Sequence, residues 1–263
     1  MRFLSTILPL GLFATIVAIV SCSSPSPPVV MVKPVSSDPA MGSTATMVST
    51  NSTYQGQRHG VKSLNSLLSE ANVKQDLIPR GRHARKYRRS MSPRYITIHS
   101  TQNFSRGADA YRHSLALKNG KLRAPKRRGG NRIGYLVWHY TIDQSVAVQH
   151  LPTNEQGEHA DFDGPGNNYS IGLEMCEHPG NSRTATVDRT AKLTAYLMHK
   201  YDIPLRNVVP HYHWKRKGLS RPHKNCPHFL LDNGRPGRKW AWFQGRVKHY
   251  YDQVRDSFPV ASH

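Results

Sequence analysis

The sequence predicts an α/β domain built on a central mixed β-sheet flanked by helices. Two patterns predict it. Short apolar runs with β-type alternation occupy residues 95–99, 135–142, 146–151 and 170–176. Longer segments with helical spacing accompany them, so strands and helices interleave along the chain and the sheet needs helical cover.

Taken in order, the chain opens on an export signal. Arg2 precedes an almost wholly apolar stretch from Phe3 to Val20, and Ile19-Val-Ser-Cys22 reads as a lipoprotein cleavage box. Residues 1–22 are therefore expected to be a signal peptide, with Cys22 the acylated anchor to a membrane; several acyl chains would make that anchoring stable. Residues 23–57, rich in Ser, Pro, Thr and Val, are expected to form a disordered tether reaching roughly 30–35 Å as a coil. Residues 58–263 then form the folded domain. Leu64, Leu67, Leu68 and Ala71 predict a short docking helix over residues 61–72. Residues 80–94 are a basic loop entering the first strand at 95–99. Ser105 is the expected cap of a helix ending near Lys118. A Gly- and Arg-rich loop covers 121–132. Two strands, 135–142 and 146–151, flank a turn at Asp143-Gln144. A Gly-rich loop (154–168) leads to a buried strand at 170–176. Val187, Ala191, Thr194, Ala195, Met198 and Tyr201 form one helix face, and Trp240, Phe243, Val247, Tyr250 and Val254 another.

The 263 residues carry 37 Lys and Arg against 16 Asp and Glu, a formal charge of +21, which favours polyanionic partners. Three cysteines do not make a disulfide framework. His99, His211 and Cys226 sit on three separate apolar or turn segments. Two imidazoles and a thiolate make three zinc ligands with one position left open, the layout of a catalytic centre. His213 and His223 are rival ligands, and a Cys176–Cys226 disulfide is the alternative use of Cys226 in an oxidising compartment. Pro210 favours His211 by biasing Val209 toward an extended conformation. Glu174 stands in an apolar strand, where alternation puts Gly172, Glu174 and Cys176 on one face; a carboxylate desolvated there can serve as general base. Lys224, two residues from Cys226, is placed to stabilise an oxyanion.

These residues and their order resemble the type 2 family of zinc-dependent N-acetylmuramoyl-L-alanine amidases, which includes phage lysozyme-type amidases and shares its fold with peptidoglycan recognition proteins. The likeness runs from about Leu77 to Leu230. It is carried by Tyr95-Ile-Thr-Ile-His-Ser-Thr101, Gly107-Ala-Asp-Ala-Tyr-Arg-His113, Trp138-His-Tyr-Thr-Ile-Asp143, Gln149-His-Leu-Pro-Thr-Asn-Glu155, Ser170-Ile-Gly-Leu-Glu-Met-Cys-Glu177, His211-Tyr-His-Trp214 and Lys224-Asn-Cys-Pro227. The resemblance implies that His99, His211 and Cys226 bind Zn2+, that Glu174 is the base and that Lys224 assists. The bond cut is the amide between the lactyl group of N-acetylmuramic acid and L-alanine in peptidoglycan. It also implies cleft positions for Trp138, where some members carry a tyrosine, and for His159, whose usual aromatic neighbour is here Glu158. The inserted basic segment 215–223 departs from the family pattern. A lipid-anchored monomer of the cell envelope acting on peptidoglycan or muropeptides is the expected protein. The alternative is a non-catalytic peptidoglycan-binding protein of the same fold, against which Cys226 argues. Nucleic acid is not an expected partner, because the chain carries an export signal and no nucleic-acid motif.

Overall fold

A computed structural model describes residues 62–124, 133–216 and 218–255. The expected signal peptide, the expected anchor at Cys22, the expected tether and residues 125–132 of the basic loop lie outside the described residues. The strands are β1 (Val73–Gln75), β2 (Tyr95–Ser100), β3 (Tyr140–Ile142), β4 (Ala147–Gln149), β5 (Ser170–Met175) and β6 (Val208–Pro210), in one sheet ordered β1-β4-β3-β5-β2-β6. Only the β3–β4 pairing is antiparallel, so the sheet is mixed, as the sequence predicts. The helices are α1 (Leu64–Glu70), α2 (Ala110–Lys118), α3 (Pro165–Tyr169), α4 (Arg183–Tyr201) and α5 (Arg238–Arg255).

Strand alternation divides the labour of the sheet. Ile96 and Ile98 of β2 and Ile171, Leu173 and Met175 of β5 point into one core with Leu67 of α1, Leu193 and Leu197 of α4, and Phe243 and Val247 of α5. The intervening residues Thr97, His99, Gly172 and Glu174 are left on the opposite face. On that face α2 packs through Ala110 against Val146, Val148 and Cys176. The same six-residue runs thus hold the core with one side and offer polar side chains with the other.

Several boundaries differ from the sequence reading. The helix expected to start at Ser105 starts after Asp109, whose carboxylate accepts the Arg112 N–H at 2.8 Å. A charged cap also meets the positive end of the helix, which a hydroxyl does not. The expected strand 135–142 keeps only Tyr140–Ile142. Its first half instead places Val137 and Trp138 in a second small core with Ile78, Leu117 and Leu151. β1, β6 and α3 carry too few residues to show a period. The basic loop 80–94 is not wholly exposed: Arg85 is buried and pairs with Glu155 through two hydrogen bonds, at 2.9 and 2.7 Å. Cys176 and Cys226 are both free thiols, so the disulfide alternative is not realised.

One buried chain of hydrogen bonds carries a pH prediction. The Trp138 indole N–H donates to Thr141 Oγ1 at 2.7 Å, and the same oxygen lies 2.7 Å from His150 Nε2. Burial holds His150 down to about 3. The folded state therefore leaves His150 unprotonated where the unfolded chain, near 6.5, takes up a proton. Between those values the unfolded state binds more protons, and stability falls as pH falls, by up to about 1.4 kcal/mol per pH unit from this group. His150→Asn should flatten that limb in urea titrations between pH 6.5 and 4.5. An unchanged slope would mean His150 is not the linked group.

Candidate metal centre and cleft

Three neighbouring parallel strands deliver the site to the carboxyl-terminal edge of the sheet, where open α/β sheets hold their ligands. His99 is in register with Glu174 across the β2–β5 pair. Ile98 is in register with Pro210 across the β2–β6 pair, so His211 leaves β6 directly beside His99. Trp214 fixes the turn that follows, its indole N–H donating to Thr97 Oγ1 at 2.8 Å. The Tyr212 N–H donates to the Cys226 carbonyl at 3.0 Å and the Ser100 N–H to Cys226 Sγ at 3.3 Å, which draws the third segment in. His99, His211 and Cys226 are all buried, and one ligand atom from each lies within 4.8 Å of the others.

The hydrogen-bond network assigns the imidazole tautomers. His211 Nε2 lies 3.1 Å from the Ala160 carbonyl, which can only accept, so Nε2 carries the proton. His159 Nε2 lies 3.3 Å from the Ser170 carbonyl and carries its proton likewise. His159 Nδ1 is then an acceptor, and His99 Nε2, 3.0 Å away, donates to it. Both ligand rings therefore present a bare Nδ1, and these two atoms face each other at 2.9 Å. Burial keeps both rings neutral: it holds His99 well below its usual range and His211 down to about 3. Two lone pairs so disposed repel unless a cation lies on them. Burial, followed by the Glu174 charge, pushes the Cys226 thiol up to about 12, a preference that a dication held there would reverse by favouring the thiolate. Two imidazoles and a thiol suit zinc, so the donor set fits the implied ion.

Glu174 Oε1 lies 3.8 Å from His99 Nδ1, and its Oε2 is buried without a hydrogen-bond partner. Burial, then the Glu177 charge, raises its carboxyl to about 8, against the pull of Lys224. Such a group is poised for proton transfer rather than for a structural ion pair. Lys224 is exposed and lines the same cleft, of about 480 Å³, as the three ligands, Glu174, Trp138 and His159. Trp138 is only 6% exposed, with its indole N–H turned inward to Thr141.

Neither rival ligand contributes an atom to this centre. His213 packs against Tyr95 and Trp214. The His223 ring centroid is 5.1 Å from that of His211, but His223 contributes no atom to the ligand group.

Asn167 and Asp161, which hold the segment carrying His159 and Ala160, were not singled out by the sequence. Asn167 Oδ1 accepts the backbone N–H groups of both His159 and Ala160 at 2.8 Å, and Asp161 in turn holds the Asn167 N–H at 2.9 Å. The short segment fixed in this way aims the His159 ring at His99 and the Ala160 carbonyl at His211. Gly172 is also required: a Cβ there would come within 2.9 Å of the His159 ring. Nothing periodic marks Asn167; its only signal is a polar residue just before a buried strand.

Residues 89–229, just over half the chain, match the family model described as N-acetylmuramoyl-L-alanine amidase. Two curated relatives from Bacillus subtilis (strain 168) are similar: the N-acetylmuramoyl-L-alanine amidase XlyA, 39% identical over 61% of this chain and 48% of that protein, and CwlH, 37% identical over 61% and 57%. The chain thus spans about half the length of the curated relatives it matches. Among solved structures, a mutant endolysin from Bacillus subtilis aligns with a TM-score of 0.54 at 37% identity, covering 67% of this chain and 98% of that one. The catalytic domain of XlyA aligns with 0.52 at 36% identity, covering 67% and 99%. Carrying the family's sequence over the strands and turns that assemble the buried His-His-Cys centre, the chain belongs to the N-acetylmuramoyl-L-alanine amidase family.

Proposed function

We propose that this protein is a zinc-dependent N-acetylmuramoyl-L-alanine amidase, hydrolysing the amide between the lactyl group of N-acetylmuramic acid and L-alanine in peptidoglycan. The observation that carries this is the pair of bare imidazole nitrogens facing each other beside a thiol and a buried, unpartnered carboxylate, all opening on one cleft. His99, His211 and Cys226 hold the ion. When bound, zinc supplies a Lewis acid that polarises the scissile carbonyl and makes water acidic enough to react near neutral pH. Glu174 takes the proton of the attacking water at Oε2 and passes it to the leaving nitrogen of L-alanine. Lys224 faces the negative charge that develops on the carbonyl oxygen. Trp138 and His159 contribute to the cleft wall that receives the substrate. The test is mass spectrometry of muropeptides incubated with residues 58–263. Free stem peptides beginning with L-alanine, lost on chelation and restored by zinc, are expected. Stoichiometric zinc without cleavage would favour the non-catalytic binding protein.

The same reading gives Asn167 and His159 the task of orienting the ligands. Outer-shell partners of metal ligands are worth about 10–100-fold in metal affinity. His159→Leu and Asn167→Ala are each expected to weaken zinc binding within that range in competition with a chromogenic chelator. His159→Gln, which restores an acceptor toward His99, should recover part of it. Affinity unchanged in His159→Leu would mean that β2 alone sets the orientation of His99.

Export and anchoring complete the proposal. The protein is held in the cell envelope as a monomer through acylated Cys22, with residues 23–57 as the tether that lets the catalytic domain reach the wall. Support comes from the sequence of the first 57 residues. Metabolic labelling with a fatty-acid analogue, abolished in Cys22→Ala, tests it.

A further inference from the structure

A second depression, of about 490 Å³, lies where the first turn of α4, residues 229–232 and the first two turns of α5 meet. None of its lining residues lines the metal cleft. Trp242 stands in it 53% exposed, whereas Trp138, Trp214 and Trp240 are each at most 7% exposed. The packing of α5 does not use Trp242: its core face is Trp240, Phe243, Val247, Tyr250 and Val254. Phe229 lines the same depression, with the Arg183 guanidinium 4.9 Å over the face of its ring. Arg238 and Lys239 add two exposed cations, and among the described residues neither has a carboxylate partner. The one acid in the depression, Asp232, is already committed: its Oδ2 accepts the Lys239 N–H at 2.9 Å and caps α5. The amino ends of two long helices, α4 and α5, raise the potential further.

We propose that this depression is a second ligand site, separate from the metal cleft, for a sugar bearing an anionic group. The exposed Trp242 indole gives flat apolar surface for the C–H face of a pyranose, and Phe229 adds a second ring to the lining. Three cations around it match a carboxylate through charge-assisted hydrogen bonds. A purely apolar partner would leave those cations desolvated and unpaired, and a simple anion would leave the indole unused. The choice of occupant, an N-acetylmuramic acid of the wall glycan whose lactyl carboxylate has been freed from its peptide by amide hydrolysis, rests on the amidase reading; the site itself does not. Occupied together with the metal cleft, it would hold the domain on a polymer by two points, so that one dissociation does not release it.

The experiment follows the indole N–H resonance of Trp242 in the 15N-labelled domain, identified by its absence in Trp242→Phe. The probes are N-acetylmuramic acid, N-acetylglucosamine and lactate. A saturable shift with N-acetylmuramic acid, much weaker with the neutral sugar and with lactate, is expected. Arg238→Gln combined with Lys239→Gln should weaken it by about tenfold, two modest exposed charge contributions. No shift with N-acetylmuramic acid up to its solubility limit overturns the proposal. Equal shifts with N-acetylglucosamine or with lactate overturn it too, by removing the anion or the sugar from recognition. Cleavage of muropeptides is scored separately, so failure of the amidase reading leaves a different record from failure of this site.

Discussion

Glu174→Gln is expected to keep one zinc per chain and to lose amide hydrolysis by about 10²–10⁴-fold, the range that a general acid–base group contributes. Glutamine preserves the shape of the side chain between Leu173 and Met175 on β5, so folding and the ligand set should survive. What goes is the proton acceptor. Glu174 Oε2 is buried with nothing to bond, and burial alone already raises its proton affinity. A structural carboxylate would have found a cation among the 37 lysines and arginines of this chain; this one faces the cleft instead. Release of L-alanine-terminated peptides and zinc by atomic emission are the two readouts. Full activity in the variant would remove Glu174 from the mechanism, and loss of zinc would recast it as a metal-site residue.

Cys226→Ser should leave a chain that folds but fails to hold zinc through dialysis against a mild chelator that spares the native protein. A serine hydroxyl does not ionise in this setting, whereas the thiol does once a dication is beside it. The loss should exceed the roughly 10–100-fold expected from outer-shell changes, because a ligand itself has gone. His213→Ala and His223→Ala serve as controls and should retain zinc, since neither ring joins the ligand group. Retained stoichiometry in Cys226→Ser, with loss in His223→Ala, would replace Cys226 by the nearer rival.

Much of this domain was legible in the chain itself. Alternation in residues 170–176 already put Gly172, Glu174 and Cys176 on one face, because side-chain direction in a strand is a property of the backbone. The helical faces at Val187–Tyr201 and Trp240–Val254 were visible for the same reason, at the longer period. Residue types marked the candidate ligands, since a thiol and two imidazoles in apolar surroundings have few other uses. Only the tertiary structure decided what lies beside what. β6 is three residues long and carries no period, yet its pairing with β2 is what sets His211 against His99. The Asp109 cap displaced Ser105 through the strength of a charged acceptor, which spacing does not report. The tautomers of both histidines rest on the Ala160 and Ser170 carbonyls, with Asn167 holding the segment between; the first contact spans 51 residues, and the others close a loop that no strand or helix period reports. Local periodicity and residue chemistry are written in neighbouring positions; strand order and most hydrogen-bond partners arise only when separate segments pack, and there the orientation of the candidate ligands was determined.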